Sequence, residues 1–304
     1  MANMSGNDAR FQIGLESAWG TAVTPTVQLE FLSESLNQAN TAVESDALVG
    51  AVTTPFYSVI GKKVEGDVNV EYHPDKIGEM IYAALGVEAD PVEVDASGVY
   101  SHAFTAISGG DSLPSLTAIV DKKADVFSYD GLKIDSMSFE TDPGSLLTGT
   151  SSFIGHAEEN GASLASLVVS AINPYDFNMM KIYFGTAGTT ATANIDEATS
   201  FTFTYANNLE NDLHVADGSQ YMAEIDYQKR DMTFDIETLY NVATDAYREA
   251  NYKTGDTMSV FIEFTHTEEV ETGFPYKVSF DFLNAVITEA PNDVAGPERL
   301  RIPL

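Results

Sequence analysis

The chain reads as a mainly β protein, built as two tandem β-sandwich or barrel domains that each carry one flanking α-helix. Three observations point there. Apolar residues recur at every second position through many segments. Each half also holds one stretch with apolar spacings of three and four. No run approaches the roughly eighteen apolar residues of a membrane-spanning helix. With 304 residues, the chain is long enough for cores of ordinary size.

Residues 1–26 are rich in Ala, Thr, Asn and Gly and read as an N-terminal arm. Trp19, the single tryptophan, would anchor that arm on its own core or on a neighbouring subunit, since a large aromatic supplies contact area at little entropic cost. Val27, Leu29 and Phe31 begin a half-buried strand. Residues 37–54, with Glu44, Asp46, Leu48 and Val49, lack a period and read as a long loop. Val64, Val68, Val70 and Tyr72 then share one side of a strand whose other side carries Glu65, Asp67, Asn69 and Glu71. Pro74 suits a first helical turn. Ile77, Met80, Ile81, Ala84 and Leu85 continue it as a helix over 74–85, with Gly86 as its C-cap.

Asp130-Gly131 reads as a hairpin turn between a strand at Ala124–Tyr129 and another at Leu132–Phe139. The strand Leu147–His156 closes a first domain spanning 27–157, and 158–198 is linker-like with short elements. A second domain at 199–288 repeats the order of elements. Phe201, Phe203 and Tyr205 alternate, 207–214 is another excursion, and Tyr221–Tyr227 is a strand. Asp231, Asp235 and Glu237 alternate with Met232, Phe234 and Ile236. A helix over 242–252, two further strands and a tail at 289–304 follow.

Charge and chemistry narrow the function. Against 46 acidic residues stand 15 Lys plus Arg, a formal charge of -31. That argues against a sheath on nucleic-acid phosphates, which needs Lys and Arg, and against an anionic membrane surface. It is compatible with facing DNA without holding it, and with a high-salt environment. The absence of cysteine excludes disulfides, zinc–thiolate sites, iron–sulfur clusters and thiol nucleophiles. The N-terminus has neither the basic flank nor the apolar stretch of a secretory signal. His73, His102, His156, His214 and His266 are scattered. No zinc-protease spacing, dinucleotide or phosphate loop, nucleophile elbow or calcium loop occurs. No catalytic, cofactor-binding or metal-ligating residue is therefore expected. A strand-rich chain of this kind is suited to building assemblies, because an exposed strand edge in one subunit can be completed by another.

Three segments carry a family resemblance: Arg10-Phe-Gln-Ile-Gly-Leu-Glu-Ser-Ala-Trp-Gly-Thr-Ala-Val-Thr-Pro25, the helix after His73-Pro74-Asp75, and Leu147-Thr-Gly-Thr-Ser-Ser-Phe-Ile-Gly155. In that order they resemble the major tail tube proteins of long-tailed, siphovirus-like bacterial or archaeal viruses. The likeness is strongest over 10–156 and looser from 200 onward. The resemblance implies a structural virion protein whose subunits set inner sheets side by side into closed rings that stack into a hollow tail tube. Two tandem domains imply trimeric rings with pseudo-sixfold symmetry. Implied partners are further copies of the chain, the tape-measure protein, and tail-tip or baseplate and terminator proteins. Viral DNA would pass through without specific binding and with no membrane insertion, and assembly would take place in the host cytoplasm.

On this reading Glu65, Asp67, Asn69, Glu71, Asp231, Asp235 and Glu237 would line the channel, although periodicity alone does not say which face turns inward. Trp19, Glu44, Asp46, Leu48 and Val49 would make inter-subunit contacts, and 37–54 and the two termini would join ring to ring. Rival readings are a tail-tip adaptor, a tail terminator, a capsid decoration protein, or a β-sandwich receptor-binding module.

Overall fold

A computed structural model describes residues 6–48, 50, 52 and 56–291, and the backbone of 301–303. Strands account for 50% of the described residues and helices for 9%. The first half supplies β1 (Arg10–Leu15), β2 (Val27–Leu29), β3 (Phe31–Glu34), β4 (Asn37–Glu44), β5 (Tyr57–Glu71) and helix α1 (Ile77–Leu85). The short strands β6 (Gly86–Glu88), β7 (Val92–Glu93), β8 (Tyr100–Ser101) and β9 (Phe104–Ala106) form an excursion. Then come β10 (Leu116–Asp121), β11 (Val126–Thr141), β12 (Thr148–Gly155) and β13 (Ala157–Asn160). The second half supplies β14 (Met180–Thr186), β15 (Ala193–Asn194), β16 (Ala198–Ala206), β17 (Leu209–Glu210), β18 (Asp226–Tyr227) and β19 (Asp231–Leu239). It ends with α2 (Val242–Tyr247), β20 (Met258–Glu271), β21 (Phe274–Ala285) and β22 (Arg301–Pro303).

β11 organises the molecule. Its first half pairs with β10 and β13, continuing through β1 to β2, while its second half pairs with β12 on one side and β16 on the other. From β12 the sheet runs on to β5, whose far edge takes β3 and β4, and from β16 it runs to β19 and β22. Strands from both halves of the chain thus lie in one sheet. A second sheet, ordered β15-β14-β20-β21, packs against it. Between them sits a continuous aromatic core. Phe139 stacks on Tyr72 at 4.5 Å and meets Phe280 edge-on at 4.8 Å, and Phe203 meets Phe282 at 5.0 Å. Burial pushes the Tyr72 phenol far above its ordinary range, so it remains a donor and bonds the Ser138 carbonyl at 2.7 Å.

Several local expectations change. Residues 10–15, expected within an arm, form a strand between β2 and β10. Buried Gln12 exchanges two hydrogen bonds with the Ala165 backbone, a partner far away in sequence. Asp130-Gly131 is no hairpin turn; β11 runs through it. Gly131 at φ +62° serves a pairing irregularity covered by Trp19 and His156, where a Cβ would stand 2.7 Å from the His156 Cβ. Residues 37–44 are strand, not loop, paired with β5 in register from Asn37↔Glu65 to Glu44↔Tyr57. Much of β4 is exposed, so no apolar period marks it. The first helix begins at Ile77 instead of Pro74, because residues 74–76 form a turn and Lys76, at the N-cap, has a non-helical backbone; Gly86 ends it in the left-handed conformation. The second continues past α2 as a π-helical turn, Arg248–Tyr252, and the strand expected at 221–227 shortens to β18. In the expected tail, Arg301–Pro303 pairs with β19.

Candidate functional site

The most distinctive surface is one face of the sheet formed by β5, β12, β11, β16 and β19. On β5, Val64, Val68 and Val70 are buried, Glu65 and Asp67 are exposed, and Asn69 and Glu71 are half-buried. The alternation fixes the direction of each side chain, and the register places them side by side. One row across the sheet reads Glu71, Thr148, Glu140, Thr202 and Asp235. Another reads Asp67, Ser152, Ser136, Ala206 and Asp231. Between them Asn69 pairs with Thr150, Ser138 with Thr204, and Thr204 with Thr233. The two acid sets, which are remote in sequence, therefore share a single face, with Glu237 opposite Ser200 one row further on.

Hydroxyls and carboxylates satisfy each other here. Ser152 Oγ donates to Asp67 Oδ1 at 2.5 Å, Thr150 pairs with Asn69, and Asn69 Nδ2 donates to Ser33 Oγ at 2.8 Å. Thr199 Oγ1 donates to Glu237 Oε2 at 3.1 Å. At the margins Lys63 pairs with Glu65 at 2.8 Å and Lys229 with Asp231 at 3.9 Å. The net result is an acidic, hydroxyl-rich surface. Ser136, Thr148, Thr150, Ser152, Thr202 and Thr204 escaped the sequence reading, although the period of two carries them as clearly as it carries the acids.

The expected inter-subunit residues fall in two places. Trp19 is half-buried within its own chain, with its indole N–H donating to the Gly131 carbonyl at 3.0 Å and its ring 5.1 Å from His156. Glu44, Asp46 and Leu48 lie exposed at the end of the β4–β5 hairpin, while Val49 is outside the described residues. The hairpin also exposes Val43, Val52, Phe56, Tyr57 and Ile60, a concentration of apolar surface that suits an interface.

Among the described residues no group of three or more His, Asp or Glu is placed to hold a metal ion. The histidines are engaged structurally. His73 bonds the Ile172 carbonyl at 2.7 Å, His102 pairs with Glu88 at 2.6 Å and His156 with Asp130 at 3.0 Å. His266 Nδ1 accepts from the Glu268 amide at 2.9 Å. A groove of about 1770 Å³ between α1, the β8–β9 excursion and β21 is lined by core aromatics such as Phe139, Phe203 and Phe280.

A family model described as phage tail tube protein matches residues 6–301. No curated protein matches the chain.

Proposed function

Because the chain belongs to the phage tail tube protein family, a family of structural components of the virion tail, we propose that it assembles into stacked rings that form the hollow tube. The polar face of the long sheet lines the channel in this proposal. The observation that carries it is the convergence of Glu65, Asp67, Asn69 and Glu71 with Asp231, Asp235 and Glu237 on that face. A wall of carboxylates and hydroxyls repels phosphate, and the lysines at its margins, Lys63 and Lys229, each face an acid of the wall, so DNA slides past it, and the tape-measure protein occupies the channel before ejection.

The free strand edges fit the same scheme. Along Asp231–Ile236, β19 has no partner on its outer edge among the described residues, and β3 and β4 bound the sheet at its other end. Joining one edge to the other between copies extends the sheet around an axis and removes both edges. Each chain acts as two tandem tube units fused through the β11–β16 pairing, so three chains complete a ring. The exposed β4–β5 hairpin reaches the next ring, and tail-tip and terminator proteins cap the tube.

Electron microscopy of the purified protein tests the scheme. Long hollow tubes are expected, with β5, β12, β11, β16 and β19 innermost and their acids facing the axis. Closed single rings would favour an adaptor or terminator, and a basic lumen would overturn the assignment of the face.

A further inference from the structure

We propose that the excursion at 207–228, in the second half of the chain, is a brace that fixes the direction of the β4–β5 hairpin and thereby governs how readily copies stack. The proposal rests on the tube reading for its partner, a second copy, but the brace itself is intramolecular.

Backbone accounting motivates it. One edge of β5 is taken by β4, and the other pairs with β12 only as far as Val64↔Gly155. Beyond that point the hairpin would leave this edge of β5 unpaired, and Gln220-Tyr221 takes over where β12 stops. The Lys62 amide donates to the Gln220 carbonyl at 2.7 Å, and Gln220 Nε2 donates to the Val59 carbonyl at 2.8 Å. Lys62 and Tyr221 form an isolated parallel bridge, and the Lys62 ammonium lies 5.5 Å from the centre of the Tyr221 ring. Close by, His214 packs so tightly on Gly61 that an added Cβ would stand 3.1 Å from its Nε2.

The brace has its own footing. Tyr221 lies 5.0 Å from His156, which lies 5.1 Å from Trp19, making a three-ring column from the hairpin base to the N-terminal turn. Leu209, Met222 and Ile225 pack with Ile107, Leu113 and Ile154 in a small cluster separate from the main core. Buried Lys133 joins the two loops beneath, donating to the Ile225 carbonyl at 2.7 Å and to Ser112 Oγ at 2.9 Å. An excursion anchored in this way and bonded to β5 at Val59 and Lys62, midway along its ladder with β4, can set the hairpin's angle.

Hydrogen exchange of the purified full chain, together with tube formation, tests this in two variants. Gln220→Ala with Tyr221→Ala removes the side-chain bond and the ring, and His214→Ala removes the ring packed on Gly61. In both, the Lys62 amide is expected to exchange about tenfold faster or more, while Val68 and Val70, deep in the sheet, keep their protection. Tube elongation is expected to need several-fold more protein. Unchanged exchange at Lys62 would overturn the brace. Faster exchange with wild-type elongation would overturn its control of stacking. Failure of the wild-type chain to form tubes would instead sink the tube reading, and Lys62 exchange would still decide whether the brace holds.

Discussion

At Gly149 the limit on side-chain size is set by neighbouring backbone. A Cβ there would stand 1.8 Å from the Ser138 carbonyl oxygen and 2.7 Å from the Tyr72 ring, so β12 and β11 approach as closely as they do only because the side chain is absent. Gly149→Ala is expected to cost about 3 kcal/mol through overpacking against backbone that cannot step aside, read as a lower denaturant midpoint. Asp121 shows the opposite kind of sensitivity. Burial pushes its carboxyl up, but bonds from the Lys123 amide and ammonium, both 2.8 Å long, together with the charges of Lys123 and Arg10, hold it below its ordinary value of 3.8. The folded chain therefore prefers the ionised form. That contribution is complete above the ordinary value and disappears as the pH falls through the lower folded one. Asp121→Asn is expected to destabilise by about 1 kcal/mol at neutral pH, with the difference in melting temperature closing in strong acid. A difference independent of pH would contradict this.

Among the elements, the β4–β5 hairpin separates folding from assembly most cleanly. Glu44 and Tyr57 are cross-strand partners, so an Asn-Gly turn can join them directly and replace 45–56. The described residues of this segment lie outside the core, and the shortened chain is expected to melt within about 0.5 kcal/mol of the parent. Its tubes should fail to lengthen under the microscope. Normal elongation would remove the hairpin from the stacking interface. β11 shows why turn signals mislead in long strands. Asp-Gly supplies a positive φ, which a tight turn uses to reverse the chain, but here Gly131 uses it to let Trp19 and His156 pack over an irregularity in a continuing strand.

Across the whole molecule, a formal charge of -31 implies self-repulsion that salt relieves. The screening length falls from about 30 Å at 0.01 M to about 3 Å at 1 M. The melting temperature is therefore expected to rise across that range in calorimetry, and a flat or falling trend would show that local ion pairs such as Lys63–Glu65 outweigh the net charge. The same field belongs to the proposed channel, where carboxylates on both halves of the chain face one way.

Much of this is legible in the sequence alone. Val64, Val68 and Val70 against Glu65 and Asp67, the spacing from Ile77 to Leu85, the positive-φ cap at Gly86 and the missing thiols are local properties, and local sterics and burial enforce them within a few residues. The tail tube resemblance rested on equally local segments. Tertiary structure alone decided that β1 is an interior strand, that β4 is a strand, that β16 lies against β11, and that the acids of β5 and β19 share a face. The reason is physical: a period of two says which residues of one strand point the same way. Which strand lies beside it, and which way the shared face points, depends on hydrogen bonds and packing between residues far apart in the chain.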